Sequence, residues 1–180
     1  MNYRDYVTQS EQTLSKNFYL SKNCAALLHS NLGVLSELDE LLENYRGIKN
    51  DDVNKMEEIS DIFWYLAIDA RIFNLEEPTV FETVQKDEEI IEEMLKLALL
   101  NSDYLKKSIF YVKEINEQYE ENSKKLWTLA YVYCVNNKIN VYDAMQKNQN
   151  KLSERYKKGK FDTTDAVQRN LESERKILES

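Results

Sequence analysis

The chain has 180 residues, a formal net charge of -8, three glycines, one proline, two cysteines and one histidine. So little glycine and proline leaves β-turns almost without their residues and points to an all-α fold, while the acidic balance excludes a sequence-independent grip on nucleic acid. The lone His29 cannot supply the two Glu-x-x-His motifs of a di-iron carboxylate bundle, and no Gly-x-Ser-x-Gly elbow supports a serine nucleophile.

Helical spacing predicts a first helix over 3–21, with Tyr3, Tyr6, Val7, Leu14 and Phe18 as its buried positions. A second is predicted over 23–45 from Leu27, Leu28, Leu32, Leu35, Leu38, Leu41 and Leu42, and "RGIKNDD" ends it with Gly47. Asp51 or Asp52 can cap a third, whose stripe of Met56, Ile59, Phe63, Leu66, Ala70 and Phe73 continues to Leu75. Pro78 opens a fresh element, read as helical to Asn101, and a further helix is expected from Tyr104 to Asn122, with continuation to Asn136 open. "NNKINVYDAM" marks a break before a helix over 141–156, and "KKGKFD" leads to a polar helix over 163–178. The expected organisation is one all-α domain over 1–180, with a core of 3–75 and 125–160 and an inserted helical pair over 77–124.

No stretch reaches the roughly 18 apolar residues of a membrane span, and "MNYRDYVTQSEQ" has neither the basic start nor the apolar stretch of a signal peptide. A soluble, cytoplasmic protein with no membrane or nucleic-acid partner is therefore expected. Cys24 and Cys134 sit far apart in apolar helical settings and read as core thiols. One internal echo sets "IFWYLAIDARIFNL" against "KLWTLAYVYCVNNKI", with Trp64 on Trp127, Leu66 on Leu129 and Ala67 on Ala130; it is short enough to be either a duplication or two amphipathic helices alike by chance.

The chemistry gathers in "LGVLSELDELLE" and "EEISDIFWYL". Residues three apart on a helix are neighbours, so Glu37 pairs with Glu40, and Glu58 with Asp61. Packed antiparallel, two such helices bring four carboxylates together, where they repel unless a cation sits among them. Oxygen ligands without sulfur or imidazole suit magnesium or manganese. The same spacing in Glu89 with Glu92, and in Glu114 with Glu117, reads as a solvated face, so it is the apolar setting of the first two pairs that singles them out.

"LLHSNLGVLSELDELLENY" followed by "EEISDIFWYLA" resembles the signature of MazG-like nucleoside triphosphate pyrophosphohydrolases, of the all-α NTP pyrophosphatase superfamily. Its Glu-x-x-Glu and Glu-x-x-Asp fall on Glu37, Glu40, Glu58 and Asp61. "NQNKLSERYKKGKFDTTDAVQRNLESER" resembles the end of small members, and "YRDYVTQSEQT" their first helix. Two departures stand out: Leu38 and Asp39 replace a usual Ala-Gly pair, and compact members lack the segment between Glu76 and Lys125, which can replace a partner's helix pair or form a lid or partner surface.

The resemblance implies magnesium-dependent hydrolysis of ribo- or deoxyribonucleoside triphosphates to monophosphate and pyrophosphate, with Glu37, Glu40, Glu58 and Asp61 as metal-binding catalytic residues and Glu40 as proton acceptor. It makes Asn148 and Lys151 nucleotide contacts and Arg155 a weaker one, and all three lie on one helix face. Trp64, beside Tyr65, can stack on a base, and His29, two turns before Glu37, can approach the nucleotide or serve as a core histidine. Relatives are usually dimers or tetramers, so a homodimer or homotetramer is expected. The alternatives are a dUTP-specific pyrophosphatase of the all-α type and a non-catalytic helical interaction protein. Richness in Lys, Asn, Ile and Tyr hints at an AT-rich bacterial or phage source.

Overall fold

A computed structural model describes residues 2–48, 51–81, 83–157 and 159–179. Lys49, Asn50, Glu82 and Lys158, which fall within segments read above as connections or helix, lie outside the described residues. The all-α expectation holds: eight α-helices and one 3-10 turn, with no strand among the described residues. They are α1 (Tyr3–Ser10), α2 (Lys22–Tyr45), α3 (Asp52–Phe73), α4 (Asp87–Tyr111), α5 (Glu117–Asn136), α6 (Val141–Arg155), α7 (Thr163–Val167) and α8 (Leu171–Glu179).

Helices α2 to α5 form a ring in which α2 touches α3 and α4, and α5 touches the same two. Side-chain pairs fix the directions. Asn31 reaches Ser102 and Tyr45 reaches Glu88, so α2 and α4 are antiparallel. Ser30 reaches Tyr65, and Ser123 reaches Asp69 while Trp127 reaches Leu66, so α3 is antiparallel to both α2 and α5. Helices α3 and α4 therefore point the same way, and the chain between them must travel back along the bundle. Residues 74–81 and 83–86 do this as an extended strap, tied by Glu77 to Tyr131 and Tyr142 and by Gln85 to Asn136. Among the described residues, the pattern after Pro78 is thus not helical until Asp87.

Local chemistry explains most helix ends. Ser21 accepts from the Cys24 N–H, Asp51 from Val53, Asn116 from Tyr119 and Asn140 from Asp143. The expected break near Asn101 is absent, because Ser102 donates within α4 to Ala98 O at 3.1 Å and the helix runs on to Tyr111. It stops at Val112, a β-branched residue at φ 55, and the Asn116 cap starts α5. The C-terminal polar helix is split into α7 and α8, with Asn170 accepting from the Ser173 N–H.

The core is made where the four helices meet. Leu38, Leu41, Ile59, Ile62, Phe63, Leu66, Ile90, Ile91, Met94, Ala98, Leu126 and Ala130 are fully buried. The segment read as an insertion thus supplies a central wall, as one helix and the start of another. Leu32 faces outward instead of joining the stripe, and both cysteines are free and buried.

The N-terminal segment departs most from the sequence reading. Helix α1 ends at Ser10, and Tyr3, Tyr6, Val7, Leu14 and Phe18 are exposed. Serine and threonine hydroxyls at Ser10, Thr13 and Ser15 bond nearby carbonyls and compete with helix continuation. Among the described residues, Phe18, edge-on to Phe110, and the Tyr19 N–H, donated to Ile109 O, dock the arm. The Trp64 and Trp127 echo is not matched by placement: Ala67 is exposed where Ala130 is buried, and Trp127 stacks on Phe63 while Trp64 faces His29.

Candidate functional site

Because α2 and α3 run antiparallel, successive-turn acids on α2 meet acids on α3. Glu37, Glu40 and Glu58 each bring an oxygen within 4.8 Å of the others. Glu58 is 4 % exposed. Its carboxyl is held far above the usual carboxylate range, first by burial and then by the charges of Glu40 and Glu37. Glu37 is also raised, by burial first and by Asp61 next. A hydrogen bond couples the two carboxyls, so they titrate as one pair above the usual carboxylate range. Three converging acids, one of them buried, form a donor set of hard oxygens that fits a divalent cation such as magnesium or manganese.

Asp61 stands apart from this trio. Its carboxylate accepts from Lys151 Nζ at 2.8 and 2.6 Å and from Asn148 Nδ2, while Lys151 also reaches Glu57 at 3.2 Å. The structure therefore brings together three of the four expected acids, and pairs the fourth with a lysine. Asn148 and Lys151 are almost fully buried, at 2 % and 1 % exposure, so they hold Asp61 from α6 rather than facing open space.

The trio lies in a cleft of about 970 Å³. His29, Trp64 and Tyr65 line it as one aromatic group, with ring centroids 5.0 to 6.0 Å apart. Tyr65 lies against Gly33, where any side chain would collide with the ring. Tyr156 and Phe161 line the cleft too and contact each other. Arg155 also lines it, but is held by Glu174 of α8 at 3.0 and 2.6 Å, and Arg169 joins the same carboxylate at 3.1 Å. Lys160 lines the cleft with no ion pair among the described residues.

Sequence reasoning missed several of these. The Glu57 contact to Lys151 and the role of Gly33 left no signal, because both depend on which helix lies opposite. Lys160 and Phe161 were visible within "KKGKFD", a basic-aromatic loop, but only as a connection.

No family model matches the chain, and neither a curated protein nor a solved structure matches it. Among the described residues, no helix is long and apolar enough to cross a membrane.

Proposed function

We propose that the chain hydrolyses ribo- or deoxyribonucleoside triphosphates to monophosphate and pyrophosphate, with magnesium, or manganese in its place, held by Glu37, Glu40 and Glu58. The observation that carries this reading is the convergence of those three carboxylates inside a cleft that also presents aromatic rings and cationic side chains. A nucleotide is complementary to each part: a planar base to the aromatic groups, and a polyphosphate to a cation at the acids and to the basic side chains.

When bound, the divalent cation supplies Lewis acidity that offsets polyphosphate charge. Glu40 accepts the proton of the attacking water, while the α–β phosphoanhydride bond breaks and pyrophosphate leaves. Glu58 and Glu37, whose carboxyls are both held above the usual range, would lose their protons in holding the cation. Lys151 and Asn148 keep Asp61 fixed beside them, and the Lys151 ammonium offsets part of the charge by which Asp61 raises Glu37. Lys160 grips the terminal phosphates, and Arg155 is a second contact to them once it leaves Glu174.

The test is incubation with each ribo- and deoxyribonucleoside triphosphate, with and without magnesium, resolving monophosphate plus pyrophosphate from diphosphate plus phosphate. Metal-dependent monophosphate and pyrophosphate is expected; no turnover by folded protein that also fails to bind magnesium would overturn the reading. Strict dUTP preference would narrow it to a dUTP specialist. The working unit proposed is a homo-oligomer, a reading supported by the exposed apolar arm of α1, and sedimentation of the full chain against a Tyr6→Ser/Phe18→Ser variant checks it.

A further inference from the structure

The strap that runs back along the bundle encloses a second, smaller cleft. It holds about 260 Å³ and lies between residues 75–78 and the side chains of α5 and α6. Trp127 and Tyr131, one turn apart on α5, give it aromatic walls, with ring centroids 6.0 Å apart. Tyr142 of α6 adds a third ring, 65 % exposed, at the mouth. Glu76 and Glu77 are its charged groups, and no lysine, arginine or histidine among the described residues lines it.

Glu77 is oriented by these rings. Both the Tyr131 and Tyr142 hydroxyls donate to its Oε1, at 3.0 and 2.5 Å. Its second oxygen, Oε2, accepts no hydrogen bond among the described residues. An exposed carboxylate held through one oxygen by two hydroxyls, in a cleft that three aromatic residues line, attracts positive charge. A bare metal ion is a poor fit, since it needs several hard oxygens around it. A soft, weakly hydrated cation is a better one, because its alkyl groups can rest on Trp127 and Pro78 while its charge meets Glu77.

We infer that this strap pocket binds a small organic cation of the alkylammonium or quaternary ammonium class. It is separate from the acidic cleft: apart from α3, which supplies Ala70 here, it is built from α5, α6 and the strap, and it stands whether or not the chain hydrolyses nucleotides. Binding also ties the strap more firmly to the bundle, since the ligand contacts 75–78 and α5 together.

The test uses the full chain labelled with nitrogen-15 and follows the Trp127 indole N–H, which is donated to Leu66 O at 3.1 Å. Tetramethylammonium chloride is the probe, sodium chloride the ionic control and tert-butanol the neutral isostere. A saturable shift of the Trp127 signal with tetramethylammonium alone is expected, with the Trp64 signal unmoved. Glu77→Gln keeps an acceptor for both tyrosine hydroxyls but loses the charge, and should weaken binding about tenfold. Should Glu77→Gln disturb the strap, Tyr142→Ala removes a ring at an exposed position and should weaken binding to a similar degree. A shift that never saturates, an equal response to tert-butanol, or unchanged affinity in either variant would overturn the inference.

Discussion

The acid trio of the cleft lies on α2 and α3, the polar layer inside the bundle joins those two helices to α4 and α5, and the two follow opposite rules. In the cleft, Glu37, Glu40 and Glu58 converge, the carboxyls of Glu37 and Glu58 are held above the usual range by burial first and neighbouring acidic charge next, and the nearest buried lysine is engaged by Asp61. Toward the other end of α2 and α3, Asp69 is buried alone at 2 % exposure, with the Ser123 hydroxyl donating to it at 2.6 Å and the Ser30 hydroxyl beside it. Asn31 with Ser102, and Asn101 with Asn122, are hydrogen-bonded pairs in the neighbouring turns of the bundle. A lone acid among neutral donors is a device that fixes the level at which helices pack. Three converging acids are not needed for any fold, and this contrast is the ground on which the proposed chemistry is assigned to the cleft and not to the interior layer.

The comparison can be broken most decisively at Glu58. If the proposal holds, magnesium should raise the melting temperature of the unaltered chain, and Glu58→Gln should abolish that rise and reduce magnesium-dependent turnover by about three orders of magnitude. Assay of both, at matched protein concentration, checks it; a variant that keeps turnover would remove the trio from the site.

The next effect is structural. Lys151→Met strips a buried cation from Asp61 and Glu57 and should cost about 3 kcal/mol in urea unfolding. Adding Asp61→Leu should restore much of that loss, since both charges are then gone.

Asp69 sharpens the contrast through pH. Burial pushes its carboxyl up to about 6, so the folded chain binds this proton more tightly than the unfolded one does. Its contribution to stability therefore increases as pH falls from about 7 to about 4, and is lost as pH rises through 6. The full span is about 3 kcal/mol at most. Asp69→Asn should raise stability at pH 8, change it little at pH 4 and flatten the profile between, as denaturant titrations at stepped pH would record.

The smallest effect belongs to Gly33. Gly33→Ala forces the Tyr65 ring off its seat on α2 and should cost about 1 to 3 kcal/mol of stability, with a larger relative loss in nucleotide KM than in kcat. Calorimetry and steady-state kinetics separate the two.

Periodicity and capping residues made much of this fold legible. The leucines of α2, the Asp51 cap of α3 and the Asn140 break before α6 lie close to where spacing places them, because each depends on contacts within one or two turns. The Glu-x-x-Glu spacing likewise put Glu37 and Glu40 on one face. The α4 to α5 boundary was not legible, since it rests on Val112 adopting a left-handed backbone and on the Asn116 cap, whereas Ser102 and Asn101 look like breakers but are satisfied inside the bundle. The exposure of the N-terminal arm was hidden too, because an amphipathic stripe does not say whether anything covers it.

By itself, then, the sequence determined the helical class, the turn-by-turn placement of the acids and the local ends of most helices, all short-range consequences of side-chain and backbone chemistry. Tertiary structure alone decided that Lys151 and Asn148 would serve Asp61, that Gly33 would seat Tyr65 and that the strap would carry Glu77 to two tyrosines. Each of those joins residues many turns apart. Such pairings are set by the direction in which helices run and by which faces they bury, and no local pattern encodes either.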